Sequence, residues 1–294
     1  MVVSIQNITK DYGHQRGIFD VSFGVQKGQA MGFLGPNGAG KTTTIRHLMG
    51  FIRPDDGAAT INGMDCFSKA ATIQRTLGYL PGEIAFMDHM TGRNFIRFIG
   101  RMKRVSSFSY AQELTALLEL DASAKIKKMS KGTKQKIAIV CAFMADPDIL
   151  LLDEPTSGLD PLMQDRFVEL IHREKQKGKT ILMSSHDFSE VERTCDAAVI
   201  IKQGRIVAQE DVSLLQKNRI REYTIHFQTD ADAAAFCQMG FSASQSGPFV
   251  TVRQKEDINP LLKALSHFQI IHLDVKTQSL EQLFMHYYGG NGHV

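Results

Sequence analysis

Two segments of this 294-residue chain carry the residue types that phosphate chemistry needs. Gly35 to Thr42 reads GPNGAGKT, with Pro36, Asn37 and Ala39 set among Gly35, Gly38 and Gly40, and Thr43 follows. A glycine-rich turn that ends a strand and opens a helix points backbone N–H groups at an anion without side chains in the way, and the helix N-terminus adds to their pull. Lys41 is then spaced to reach the β and γ phosphates of a nucleoside triphosphate, and the Thr42 hydroxyl to ligate Mg2+. The second segment, Ile149 to Glu154, is an apolar run that ends in two adjacent carboxylates. The polar end of a buried parallel strand is where ligands meet such a sheet. Asp153 suits the magnesium shell, whereas Glu154, one residue on, can orient or deprotonate an attacking water. The plainer reading of Asp153 and Glu154 is a solvated acidic turn, which the glycine-rich segment upstream disfavours.

These residues need a scaffold of buried strands, and the sequence supplies one. Ala30–Gly35, Asp148–Glu154, Thr180–Ser185 and Ala197–Lys202 are nearly continuous apolar runs, as strands covered on both faces require. Helical stretches alternate with them, the pattern of an α/β domain around a mainly parallel sheet. Thr91–Arg104 and Tyr110–Leu120 read as helices and, with the stretch up to Ala145, form a helical insertion over roughly 84–145. Beyond Gln216 the register changes to strand, helix, strand, helix, strand, helix, the last over SLEQLFMHYY. The expected organisation is therefore a domain at 1–216 and a small α/β accessory domain at 217–294.

Composition narrows the class. Hydrophobic residues make up 43% and charged residues 22%, enough to bury a core in each domain. The formal net charge is only +3, and from Lys217 onward there are seven charges of each sign, so no nucleic-acid partner is expected. The apolar stretch Ile137–Ala145 stops at Asp146, far short of the ~20 residues a bilayer demands. The N-terminus lacks the features of a secretory signal, so a cytoplasmic protein is expected. Cys66, Cys141, Cys195 and Cys237 form no CxxC pair and read as reduced, packed thiols. Five of ten histidines lie beyond Gln216, including His267, His272 and His286, without metal-ligand spacing. Arg93, Arg97 and Arg101 recur on one helical face, either as a solvated face or as a docking surface.

From Tyr12 to His186 the order and spacing of motifs resemble the nucleotide-binding domain of ATP-binding cassette (ABC) proteins. DEPTSGLDP, Asp153 to Pro161, is the most specific part. The resemblance implies a P-loop ABC-type fold: a mainly parallel sheet with antiparallel strands and a helical subdomain. It assigns Asp160 to a loop that crosses to a partner domain, His186 to a switch that senses the γ-phosphate, and Tyr12 to an aromatic platform under adenine. MSKGTKQK, Met129 to Lys136, stands in the place of the family's LSGGQ signature; Ser130 and Gly132 survive, and Lys131 replaces a glycine. In GYLPGEIAF, Gly78 to Phe86, Gly82 replaces the usual Gln, and Glu83 either takes over its contact with magnesium or is a surface residue. The resemblance implies an ATPase using ATP and Mg2+, whose two copies sandwich the nucleotides, with Ser130 and Gly132 serving ATP on the partner copy. It further implies a second nucleotide-binding domain, a separate transmembrane permease, and attachment to the inner face of the membrane through that permease. The Ser-Lys-Gly form and the C-terminal extension favour an exporter. The other readings are a soluble ABC ATPase acting on ribosomes or DNA, and the motor of an importer.

Overall fold

The computed structural model describes residues 1–217, 220–255, 257–279 and 281–283. The chain divides into two compact units, Met1–Val212 and Ser213–Val294. In the first unit, β1 (Val3–Asp11) and β2 (Gly17–Val25) precede β3 (Ala30–Leu34), α1 (Lys41–Leu48), β4 (Asp56–Ile61) and β5 (Met64–Asp65). There follow α2 (Ala70–Thr76), β6 (Leu77–Leu80), α3 (Gly92–Met102), α4 (Ser109–Leu117) and α5 (Lys131–Phe143). The unit closes with β7 (Ile149–Asp153), α6 (Pro161–Gln176), β8 (Thr180–Ser185), α7 (Phe188–Thr194), β9 (Ala197–Lys202) and β10 (Arg205–Asp211).

Two sheets share these strands. β2-β1-β4-β5 is antiparallel, and β10-β9-β3-β8-β7-β6 is parallel except where β10 meets β9. Every residue of β3, β7 and β8 is buried, which explains their unbroken apolar sequences. Side chains from both sheets and from α1, among them Ile5, Ile18, Phe33, Ile45, Leu151 and Val199, pack into one core. Each fully buried side chain of this kind contributes about 1.5–3 kcal/mol through apolar burial.

Parallel register does the positioning. Leu34 lies opposite Ser185, and Asp153 opposite Ser184, so the C-terminal ends of β3, β7 and β8 finish at one edge. The apolar stretch Ile137–Ala145 lies largely within α5, whose residues from Ile137 to Phe143 are all buried. Among the described residues no helix is long and apolar enough to cross a membrane. Helix α4 is fastened to α6: Tyr110 donates to Glu174 Oε1 at 2.6 Å, and Arg173 pairs with Glu113. Burial pushes the Glu174 carboxyl up, but hydrogen bonds from Lys177, Lys179 and Tyr110 outweigh that cost, and it sits below its ordinary value.

The second unit has the order α8 (Val212–Lys217), β11 (Arg221–Phe227), α9 (Asp230–Cys237), β12 (Ala243–Ser246), β13 (Phe249–Gln254), α10 (Asn259–Leu265) and β14 (Ile270–Thr277). From β11 onward this is a split β-α-β repeat, and the antiparallel sheet order β12-β13-β11-β14 is that of ferredoxin-like folds. Strand β12 departs from the expected pattern. Its sequence, ASQS, is short, polar and mostly exposed at a sheet edge, so it has no apolar alternation to betray it. The expected last helix lies largely outside the described residues, as does His286. The expected boundary at Gln216 falls inside α8. Tyr223, Ile225, Phe227, Phe236, Val250 and Leu261 give this unit a core of its own.

Because each unit encloses a separate core, a fragment ending at Gln216 should keep its helical circular dichroism and unfold in one urea transition. A fragment without a cooperative transition would show that its core is incomplete.

Candidate functional site

The sequence from Gly35 to Thr43 leaves β3 and enters α1 through a turn that only glycine tolerates at its last position. Gly40 caps α1 with φ +114°, and a Cβ there would stand 2.6 Å from Ile18 Cγ2. The turn is closed by the amide of Ala39 donating to Pro36 O, at 3.1 Å. The first amides of α1 have no intrahelical acceptor, so they point out of the helix toward the turn. The Lys41 side chain is 6% exposed and folds back into the loop, donating to Gly35 O at 2.7 Å and Pro36 O at 3.2 Å. Its Nζ also lies 3.1 Å from Glu154 Oε1.

Glu154 is held from several sides. Its backbone is left-handed, with φ +49°, a conformation rare outside glycine and asparagine. Its amide donates to Ser184 O at 3.2 Å and to Ser184 Oγ at 3.1 Å. Its second carboxylate oxygen, Oε2, is 2.7 Å from Nδ1 of His186, whose side chain is 57% exposed. Lys41, Glu154 and His186 thus form a continuous chain of polar contacts. Tyr12, Gln15, Arg16, Asn37, Gly38, Gly40, Lys41, Thr42, Thr43, Glu154 and Gln203 line one open cleft beside it. Tyr12 is half exposed there, free to offer a ring face. Arg16 and Gln203 escaped the sequence reading because they lie in turns with no motif around them.

Asp153 is fully buried. Ser184 Oγ donates to its Oδ1 at 2.5 Å, and Oδ2 has no hydrogen-bond partner among the described residues. A buried carboxylate oxygen without a donor is expensive unless a cation faces it. Asp153 and Thr42 line a cavity of about 380 Å³ together with Arg46, Tyr79, Gly82 and Glu83. Carboxylate and hydroxyl oxygens around one opening are the hard ligands that Mg2+ prefers, so these residues fit that ion. Burial pushes the Tyr79 hydroxyl up to about 12, the Asp153 charge adding to the shift and Arg46 opposing it.

Gly82 does not adopt a positive φ, so it is not a backbone hinge here. It sits close to the acid instead: a Cβ on Gly82 would come 3.1 Å from the unpartnered Oδ2 of Asp153, a tight contact. Glu83 is exposed at the mouth of the same cavity.

Ser130 and Gly132 are not part of the Lys41 cleft. Ser130 caps α5, accepting from the Thr133 amide at 3.1 Å, and lines a separate opening with Lys128, Thr133 and Lys136. Lys131 donates to Ser157 Oγ at 2.9 Å, and Gln135 donates to Pro155 O at 2.7 Å. Asp160 caps α6, accepting from the Met163 amide at 3.0 Å. Arg93, Arg97 and Arg101 are all exposed, and Arg93 and Arg97 line a groove of about 810 Å³ with residues of α4. The four cysteines are free thiols.

Comparison with known proteins agrees with this geometry. The profile of the family described as "ABC transporter" matches residues 18–157. The linearmycin resistance ATP-binding protein LnrL of Bacillus subtilis (strain 168) is 30% identical, over 98% of this chain and 98% of its own length. The Nod factor export ATP-binding protein I of Burkholderia orbicola (strain AU 1054) is 36% identical over 70% of each chain. A solved ATP binding subunit of an ABC transporter superposes with a TM-score of 0.66 at 32% identity, covering 74% of this chain and 92% of that one.

One buried acid went unnoticed in the sequence, where it reads as an ordinary polar residue of a short helix. Glu190 of α7 lies beneath the segment that carries His186 and accepts a hydrogen bond from Ser185, whose hydroxyl also accepts from the Asp187 amide at 2.9 Å. Burial pushes its carboxyl up from 4.5 to about 7; the hydroxyls of Ser185 and Thr156 oppose the shift, and the charges of Asp187 and Glu154 add to it. A raised folded-state value means that the neutral form suits the fold. The stability it contributes is complete below pH 4.5 and is lost as pH rises through about 7. At about 1.4 kcal/mol per unit, the pH-dependent part is bounded at roughly 3 kcal/mol. Glu190→Gln should therefore gain stability relative to the wild type between pH 5 and pH 8. Urea unfolding of both proteins at the two pH values tests this, and a difference independent of pH would refute it.

Proposed function

Because this chain belongs to the family of ABC transporter ATP-binding proteins, we propose that it is the ATP-hydrolysing subunit of an exporter. In this reading two copies close around two ATP molecules and drive a separate transmembrane permease, each copy resting on the cytoplasmic side of the membrane. The observation that carries the proposal is the meeting of Lys41, Asp153, Glu154 and His186 at one sheet edge, with Glu154 bridging Lys41 and His186. Export, rather than import, is supported by relatives named for resistance and for export. The match to one of them over 98% of both chains takes in the second unit as well.

The residues divide the work. Tyr12 offers its ring to the adenine face, and the amides of Gly38 and of Gly40 to Thr43 receive the phosphate oxygens. Those oxygens compete with Gly35 O, Pro36 O and Glu154 for the ammonium of Lys41. Thr42 and Asp153 would hold Mg2+, which when bound supplies positive charge to the β and γ phosphates. Released from Lys41, Glu154 can accept a proton from the attacking water as its oxygen bonds to the γ-phosphorus and the bond to the ADP oxygen breaks. His186 holds Glu154 through Nδ1 and turns its other nitrogen toward the phosphate. Ser130 and Gly132, which do not line this cleft, serve the ATP of the second copy. Neither copy completes a site alone.

Glu154→Gln preserves shape and removes the base, so nucleotide binding should persist while hydrolysis falls at least about 100-fold. In gel filtration with Mg2+ and ATP this variant should elute as a dimer, and Ser130→Trp added to it should restore the monomer. A Glu154→Gln protein that binds ATP yet never associates would sink the two-copy reading. Glu83, at the mouth of the Asp153 cavity, is proposed to stand in for the usual Gln by acting on the bound cation. Glu83→Ala should raise the Mg2+ concentration needed for half-maximal hydrolysis several-fold while leaving metal-free ATP affinity unchanged. An unaltered Mg2+ titration would return Glu83 to the solvated surface.

A further inference from the structure

The first turn of α5 presents three residues to the loop that runs from Glu154 to Asp160. Lys131 donates from Nζ to Ser157 Oγ at 2.9 Å and lays its stem on Gly158, where a Cβ would stand 3.0 Å from Lys131 Cγ and Cδ. Gly132 lies so close that a Cβ there would come 2.6 Å from Gly158 O. Gln135, almost fully buried one turn later, donates to Pro155 O at 2.7 Å and, at 3.4 Å, to Glu154 O. Gln135 shares a helical face with Lys131 four residues before it and with Gly132 three residues before it. The loop in their grip includes the left-handed Glu154, and the Ser157 amide closes back onto Glu154 O at 3.2 Å.

Charge makes the Lys131 contact informative. Lys131 is the first residue of α5, where the helix dipole disfavours a cation. The residue is exposed, so water screens much of that cost, and the direction its side chain takes is set by local contacts. Here the ammonium is turned onto the Ser157 hydroxyl and the methylenes cover Gly158. A glycine at position 131 could make neither contact.

We infer that Lys131 is a positioning residue that couples the Ser130–Gly132 segment to Glu154 of the same chain through Ser157. Movement of the α5 N-terminus is then passed to the loop that fixes the base. The functional half of this inference rests on the two-copy reading: ATP held by a second copy against Ser130 sets the position of Glu154 in the first. Each nucleotide thereby controls the opposite catalytic carboxylate.

The full chain carrying Lys131→Met, which keeps the stem and loses the ammonium, is compared with Ser157→Ala and with the double variant. Amide hydrogen exchange without nucleotide is read over residues 155–159. Each single variant should speed exchange there by about tenfold, with no further gain in the double variant, because both remove the same hydrogen bond. In steady-state hydrolysis the turnover number should fall about tenfold with the KM for ATP unchanged, the mark of a misplaced base with intact binding. Unchanged exchange in this loop would overturn the inference. So would a raised KM in Lys131→Met that Ser157→Ala does not share, since that places the ammonium on the second copy's phosphates. Failure of Glu154→Gln to associate, with the exchange result as expected, would remove the two-copy reading and leave the coupling within the chain standing.

Discussion

Asp153 and Ser184 face each other across β7 and β8, and one hydrogen bond between their side chains sets where the whole polar edge of the sheet begins. Up to that row every residue of β7 is buried and apolar. At that row a carboxylate is tolerated because a hydroxyl meets one oxygen and the residue borders the cavity it shares with Thr42, where a cation can reach it. Parallel register then leaves no freedom: Glu154 must follow Asp153, His186 must follow Ser185, and the glycine turn must follow Leu34. A shift of one residue in β7 would turn Asp153 out of the row and bury a leucine among polar groups.

Electrostatic crowding is the second constraint. Asp153, Glu154, Asp187 and Glu190 converge on a region whose one buried cation is Lys41 among the described residues. Lys41 and His186 occupy opposite oxygens of Glu154, while burial, with a smaller contribution from the charges of Asp187 and Glu154, favours the protonated form of Glu190. A negatively charged nucleotide adds to that crowding, which is the physical reason a divalent cation belongs with it. The arrangement therefore stores its charges in pairs that a phosphate can re-sort without moving the strands.

Much of this was legible in the residues. GPNGAGKT and DILLLDE combine the reactive side chains with the local backbone that displays them, so reading the letters amounts to reading the geometry. The buried strands announced themselves because parallel strands covered on both faces have no polar alternation. What escaped lies in tertiary pairing. Lys131 and Ser157 stand 26 residues apart and meet only once α5 packs beside the loop after β7. Glu190 owes its unusual acid strength to burial, which its short helix does not advertise. Strand β12, polar and exposed, is specified by its partner β13 more than by its own residues. Gly82, noted in the sequence only as a replacement for Gln, leaves space beside Asp153.

The sheet of the second unit begins and ends at one place. Arg221 at the start of β11 pairs with Thr277 at the end of β14, and the Gln278 amide donates to Ile220 O at 3.0 Å. A split β-α-β sheet with its first strand in the middle and its last beside it returns the chain to its point of departure. Such a unit can be remodelled from within, since its sheet carries its own strand pairing. It can also be enlarged or traded without disturbing the strands that carry Asp153 and Glu154. Modularity of this kind lets the motor and its appendage diversify at different rates, the one held by chemistry and the other open to whatever each transporter comes to need.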